Sequence, residues 1–358
     1  ACLHLLTTDG TPTAPRNATH HRAPTRTDAH RRSLRSPCVP TFSGADSIDQ
    51  LGFTRAFPMY VLPIAEVLAL TKIRTHEELF DKLVAWSPGM GDCVFISQTW
   101  LGKTHPDPAG SKLQLLQQVL RKMSEGKFAA RAHWLADAWF GAGKCKGSAK
   151  SMARVEYVWF DLWSVPQADP EQQKKAIKSI FSYVHDAAQF VVLAGAWEHE
   201  DGRLMDFRAW MRRGWCRVEA LSNVLARNSK QIILMQSRSD IVTYGARGIS
   251  GAEWINSPIG VAEFTVEADR YALGPVIAKL IDDRMAAKRA EGTKDGWRWA
   301  RALHSLKARL LAGTGVEVPP VPKLRGETEL EAWLSRLGFK SATETDADGW
   351  SPLRYAVM

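Results

Sequence analysis

Residues 155–193 read VEYVWFDLWSVPQADPEQQKKAIKSIFSYVHDAAQFVVL. An aromatic and β-branched run, Val155 to Asp161, opens the stretch, and Gln189 to Leu193 closes it. Between them Asp169, Pro170 and Glu171 mark a helix start: a capping side chain, a proline where no backbone N–H is needed, and an acid in the first turn. Ala176, Ile177, Ile180 and Val184 continue it with one apolar stripe. Two short strands joined by a helix need a crossover connection, so the strands are expected to lie parallel in one sheet.

The same unit recurs on either side. Cys93 to Ser97 (CVFIS) reads as a buried strand, followed by a helix from Lys112 to Met123 with Leu113, Leu116, Leu120 and Met123 on one face. A third helix is expected over Arg212–Arg227 and a fourth strand over Gln231–Met235. The implied fold class is α/β: a mainly parallel, flavodoxin-like sheet with helices on both faces. Upstream, Thr75 and Glu78 form a capping box, and Leu79, Phe80, Leu83, Val84 and Trp86 predict a helix ending at Ser87-Pro88-Gly89. Downstream come a long helix from Ala268 to Arg289, a basic segment around Trp297 and Trp299, and a Pro-rich hinge at Val318–Pro322.

The chain has 358 residues, 45% of them hydrophobic and 24% charged, which suits one or two packed domains. No apolar run approaches the ~20 residues a spanning helix requires, so no membrane partner is expected. The net charge of +9 is local. Six arginines against Asp9 and Asp28 give residues 1–40 a charge of +4, and residues 284–310 carry +6, which leaves the rest near neutral. No specific nucleic-acid partner is therefore expected; an alternative is phosphate contact by the 284–310 segment. Five scattered cysteines without a C-x-x-C pair fit a reducing, cytoplasmic setting.

Residues 1–45 hold no Lys or Glu and no apolar periodicity, and read as a disordered basic tail, with a transit peptide as the alternative. An α/β domain over residues 71–290, with its core at 92–236, is followed by a helical extension and linker at 291–340. Residues 341–358 contain Asp348-Gly349-Trp350-Ser351-Pro352-Leu353-Arg354-Tyr355-Ala356, similar to the opening turn and first helix of an ankyrin repeat.

Ligands of open parallel sheets bind beyond the carboxyl ends of the strands. That places Ser97, Gln98 and Trp100, then Asp161, Trp163 and Gln167, then Gly195 and Trp197, along one rim. Glu219, in Trp215-Cys216-Arg217-Val218-Glu219, would reach it from the following helix as a partly screened carboxylate beside an indole. Each has a structural alternative: Asp161 as a loop cap, the tryptophans as core, Glu219 as a partner of Arg217 or Arg212. Gly141 to Gly147 lacks phosphate-loop spacing, and Cys216 with His185 would make a nucleophile and base only if the fold brought them together.

VFISQTW (94–100), YVWFDLWSVPQADPEQQ (157–173), Ala187-Ala188 before FVVL, and RRGWCRVEAL (212–221) together resemble the fungal heterokaryon-incompatibility (HET) domain. Ser164 and Pro166 stand where that family has Cys and Asn, and residues 127–154 are an insertion. The HET domain is similar in turn to TIR domains, which cleave NAD with a glutamate in a Trp-Cys-x-x-Glu helix. The resemblance implies a TIR-like signalling module in which Glu219 is catalytic and Ser97, Trp100, Asp161, Trp163 and Arg217 bind NAD. NAD would be a substrate, with no resident cofactor and no metal. The alternative it implies is a non-catalytic module acting through homo-oligomers and through protein partners of C-terminal ankyrin repeats.

Overall fold

Strand pairing fixes the architecture of this chain, whose computed structural model describes residues 55–132, 152, 154–227, 229–244, 258–319 and 323–357. The strands are β1 (Met59–Pro63), β2 (Val84–Trp86), β3 (Asp92–Gln98), β4 (Arg131–Ala132), β5 (Val155–Phe160), β6 (Gln189–Leu193), β7 (Trp197–Glu198), β8 (Leu204–Met205), β9 (Ile232–Met235) and β10 (Ile241–Tyr244). Eight form one sheet in the order β2-β1-β5-β3-β6-β9-β10-β4, while β7 and β8 pair separately. Its centre, β5-β3-β6-β9, is all parallel. In chain order those four strands run second, first, third, fourth, the flavodoxin-like arrangement. β1 joins β5 and β10 joins β9 antiparallel.

The pleat divides each central strand between two cores. Cys93, Phe95, Trp159, Phe190, Val192 and Leu234 enter one. Val94, Ile96, Val158, Phe160, Val191, Leu193, Ile233 and Met235 enter the other. Phe95 stacks on Trp159 at 4.1 Å and on Phe190 at 5.6 Å, so three adjacent strands share one aromatic layer. The second core is closed by α1 (Ile64–Ala69) and α2 (Ser111–Ser124), whose Leu113, Leu116, Leu120 and Met123 form its buried stripe.

α3 (Asp161–Ser164) is a single turn, after which α4 (Pro170–Lys178) and α5 (Ile180–Asp186) return to β6. Asp169 caps α4 by accepting from the N–H groups of Glu171 and Gln172. α6 (Phe207–Arg212) and α7 (Gly214–Leu225) lead to β9, and α8 (Glu267–Ala290), α9 (Lys294–Leu310), α10 (Glu329–Leu337) and α11 (Pro352–Ala356) make the C-terminal helical region. Among the described residues no helix is long and apolar enough to cross a membrane.

The structure corrects several expected elements. The capping box forms, with the Thr75 N–H donating to Glu78, but only a 3₁₀ turn (Glu77–Leu79) follows it. Val84 to Trp86 instead pair with β1, because a sheet edge was there to receive them. The helix expected through Ile180 breaks at Ser179, whose hydroxyl accepts from the N–H groups of Ala56 and Phe57. The helix expected over 212–227 forms as α7, Gly214–Leu225, set off from the preceding α6 by a break at Arg213. The sheet also takes in β1, upstream of residue 71. The 1–45 tail, the Gly141–Gly147 loop and residues 320–322 of the Pro-rich hinge lie outside the described residues.

The basic segment has a structural use. Lys294 pairs with Asp348 at 2.7 Å, and Lys307 with Asp282 at 2.7 Å. The Arg301 guanidinium lies 4.1 Å over the Phe339 ring and pairs with the largely buried Asp346 at 3.3 Å. Asp346 also accepts from the Tyr355 hydroxyl and from two backbone N–H groups of its own turn, which Gly349 closes at φ +75°. The C-terminal turn and α11 are thus docked beside α9 and α10, with Leu334, Leu337, Phe339 and Tyr355 as their shared core.

α7 is tied to α8 by the Trp215 indole N–H, which donates to Asp269 at 3.0 Å. Burial pushes that carboxyl up to about 6, against the opposing effect of the indole bond. A carboxyl whose folded pKa lies above its unfolded value loses stability as pH rises between the two. The difference in unfolding free energy between the native chain and Asp269→Asn, measured by urea titration, should therefore shift against the native chain from about pH 4 to pH 6. A difference that does not change with pH over that range would mean that Asp269 does not titrate there.

Candidate functional site

At the carboxyl end of β3 the pleat turns Ser97 and Gln98 to opposite faces, and each starts a buried polar cluster. On the first face the Trp210 indole N–H donates to Ser97 Oγ at 2.9 Å, and the Ser97 hydroxyl donates to Glu219 Oε2 at 2.5 Å. Trp210 comes from α6 and Glu219 from α7, and all three side chains are buried. α7 is buried along nearly its whole length, Trp215, Val218, Glu219 and Ser222 included, so the helix carries a carboxylate into the interior. Burial holds the Glu219 carboxyl above the usual carboxylate range, and nearby Asp161 adds to this, while the Ser97 bond works against it.

On the other face the Gln98 amide bridges two buried charges. Its Nε2 donates to both oxygens of Asp161 at 3.0 and 3.1 Å, and its Oε1 accepts from Lys112 Nζ at 2.5 Å. Lys112, at the start of α2, also donates to the Thr99 carbonyl and lies 5.6 Å over the Trp197 ring. Asp161 accepts further from the Trp100 indole at 2.7 Å and from the Leu162 N–H at 2.9 Å. One side-chain amide thus links a lysine and an aspartate that no water shell serves. Buried opposite charges tolerate removal from water when such hydrogen bonds fill their remaining sites.

The fold therefore brings Ser97, Trp100, Asp161 and Glu219 to one edge, at the switch point where β3 has β5 on one side and β6 on the other. Trp163 does not join them. Its ring is fully buried, stacked on Phe160 at 4.6 Å with its N–H on the Val158 carbonyl, because the α3 turn folds it back under its own strand. Arg217 also points elsewhere, donating to the Met211 and Pro258 carbonyls, and Arg212 pairs with Glu263. The partner of Glu219 expected among those arginines is Ser97 instead.

Gln167 lies outside the cluster as well. Its backbone N–H and that of Ala168 donate to Glu77, so the Asp161 carboxylate does not organise that loop. Cys216 and His185 sit at opposite ends of the sheet: the Cys216 thiol donates to the Gln98 carbonyl, whereas His185 pairs with Asp186 just before β6. At that far end the Lys230 ammonium donates to the Val184 and His185 carbonyls, and burial lowers its pKa to about 7. Sequence reasoning did not single out Lys112 or Trp210. A lysine in the first turn of a helix directly after a strand end was the available signal for the first; nothing local announced the second.

Gln98, Trp100 and the Leu162 N–H all donate to Asp161, which sets the cost of changing it. Asp161→Asn turns an NH₂ toward at least one of them, so urea unfolding should report a loss of roughly 1–3 kcal/mol. A midpoint equal to that of the native chain would mean that Asp161 is not a structural acceptor.

No family model, no curated protein and no solved structure matches this chain.

Proposed function

We propose that this chain is a HET/TIR-like signalling module that cleaves NAD into nicotinamide and ADP-ribose, with Glu219 as the reacting carboxylate. The observation that carries the reading is the buried Ser97–Glu219 pair at the switch point of a parallel sheet, beside Asp161 and two indoles. Breaking the bond from ribose C1′ to the nicotinamide nitrogen sends the bonding pair to the ring, and nicotinamide leaves neutral. Positive charge develops at C1′, where a carboxylate stabilises it more strongly in a water-poor setting than at an exposed surface. Water then supplies hydroxide to C1′ and its proton passes to Glu219 and on to solvent. The Ser97 hydroxyl, held by Trp210, fixes the carboxylate's orientation. Trp100, half-buried with its N–H on Asp161, has a ring suited to stacking on a base.

A second reading has its own support. Asp161, Gln98 and Ser97 bond to other side chains within the chain, as they would in a fold-stabilising network. On that reading the chain is a non-catalytic module that works through self-association and through protein partners of an ankyrin array.

Nicotinamide release from NAD by the full chain separates the two. The enzyme reading expects release that Glu219→Gln lowers at least a hundredfold, with the native circular dichroism kept, since the amide oxygen still accepts from Ser97. Because the Glu219 pKa is raised, the ionised form accumulates only above the ordinary carboxylate range, so kcat should rise with pH there and level off. No release and no NAD binding, at high as well as low protein concentration, would reject the enzyme. Light scattering against concentration then tests the module.

A further inference from the structure

Away from the switch point, at the outer side of β1, the side chains of Phe57, Tyr60, His76 and Phe80 form one continuous aromatic wall. Tyr60 meets His76 edge-on at 5.0 Å and lies 5.8 Å from Phe80, His76 lies 5.5 Å from Phe80, and Phe57 lies 5.5 Å from Tyr60. The wall lines a groove of about 710 Å³ whose other side is the loop into α4. Phe80 is 57% exposed, so the wall is not merely a piece of core that reaches the surface.

The charges around this groove are uneven. Glu77 and Asp169 contribute carboxylates, and Lys175 contributes a cation on the opposite helix. The Glu77 carboxylate is held in place by the N–H groups of Gln167 and Ala168, at 2.6 and 2.7 Å, which both donate to Oε1. Its position is therefore fixed by the backbone. Asp169 is fixed likewise as the cap of α4, through Oδ1. His76 adds no positive charge near neutrality: burial lowers its pKa, and its Nδ1 faces the Trp163 carbonyl at 3.0 Å. Aromatic faces are the negative ends of ring quadrupoles, and so attract cations.

We infer that this groove is a docking site for an arginine-bearing peptide segment of a protein partner, the guanidinium lying over the Tyr60 and Phe80 rings and facing the Glu77 and Asp169 carboxylates. Arginine suits the site better than lysine, because its planar, weakly hydrated head stacks on rings while its edge donates to carboxylates. The inference does not rest on the NAD reading, since no groove residue belongs to the Ser97–Glu219 cluster.

Fluorescence anisotropy with the full chain and a labelled (Gly-Arg)₄ peptide tests it, with (Gly-Lys)₄ and (Gly-Glu)₄ as comparisons. The arginine peptide should bind most tightly, the lysine peptide several-fold more weakly, and the glutamate peptide not at all. Phe80→Ala removes an exposed ring and should weaken arginine-peptide binding at least tenfold, with the melting temperature within a few degrees of native. Lys175→Glu removes the opposing charge and should tighten it at least threefold. Absence of arginine-peptide binding up to millimolar concentration would overturn the inference. So would glutamate-peptide binding of equal strength, indifference to Phe80→Ala, or weakening by Lys175→Glu.

Discussion

Side-chain alternation along β3 is the constraint on which the rest of this molecule depends. Asp92 to Gln98 run between β5 and β6, and from Cys93 onward every side chain is buried on one face or the other. Cys93 and Phe95 go to one, Val94 and Ile96 to the other. The alternation does not stop where the apolar residues do. It delivers Ser97 to the α6–α7 face and Gln98 to the α2–α3 face, so two polar clusters on opposite sides of the sheet are built from consecutive residues. A one-residue slip of β3 would exchange them and bury Val94 and Ile96 on the wrong face.

What could be read in the sequence follows from which interactions are local. CVFIS, VEYVWF and QFVVL announce buried strands because parallel central strands are apolar on both faces, and the Asp169-Pro170-Glu171 cap forms within one turn. The stretch from Thr75 to Trp86 misleads because its periodicity fits a helix, while β1, whose edge recruits Val84–Trp86, is supplied more than twenty residues upstream. Site residues were legible as positions after strand ends. Their partners were not, since Ser97 and Glu219 are separated by 122 residues, and Gln98 and Asp161 by 63. Trp163 shows the limit of the positional rule: one turn of helix after a strand end is enough to put a side chain back beneath the sheet.

The charge pattern follows the same logic at larger scale. The basic run in α8 and α9 looks in sequence like a surface for an anionic partner. In the fold part of it is answered from within the chain, by Asp282, Asp346 and Asp348, and Arg301 is stacked against Phe339 and flanked by Tyr355 and Trp297. Exposed pairs such as Lys307–Asp282 contribute little to stability, roughly 0–1 kcal/mol each. The Arg301–Asp346 pair, largely buried and shared with the Tyr355 hydroxyl, is the one that fixes where the C-terminal turn sits.

Against that background the buried polar edge calls for its own explanation. Lys112, Asp161 and Glu219 sit within a few residues of aromatic layers that could have continued with leucine or phenylalanine, and apolar packing at such sites is commonly as stabilising as a buried charge network, or more so. Stability alone therefore does not account for three ionisable groups at one end of four parallel strands. The far end makes the contrast. There Lys230 fills the carbonyls that end α5, a task any helix terminus sets. At the carboxyl end Glu219 sits in mid-helix, and its carboxylate accepts from the Ser97 hydroxyl, which the Trp210 indole N–H in turn holds in place. A buried carboxylate whose orientation is fixed by Ser97, itself held by Trp210, is the arrangement on which the proposed reaction depends.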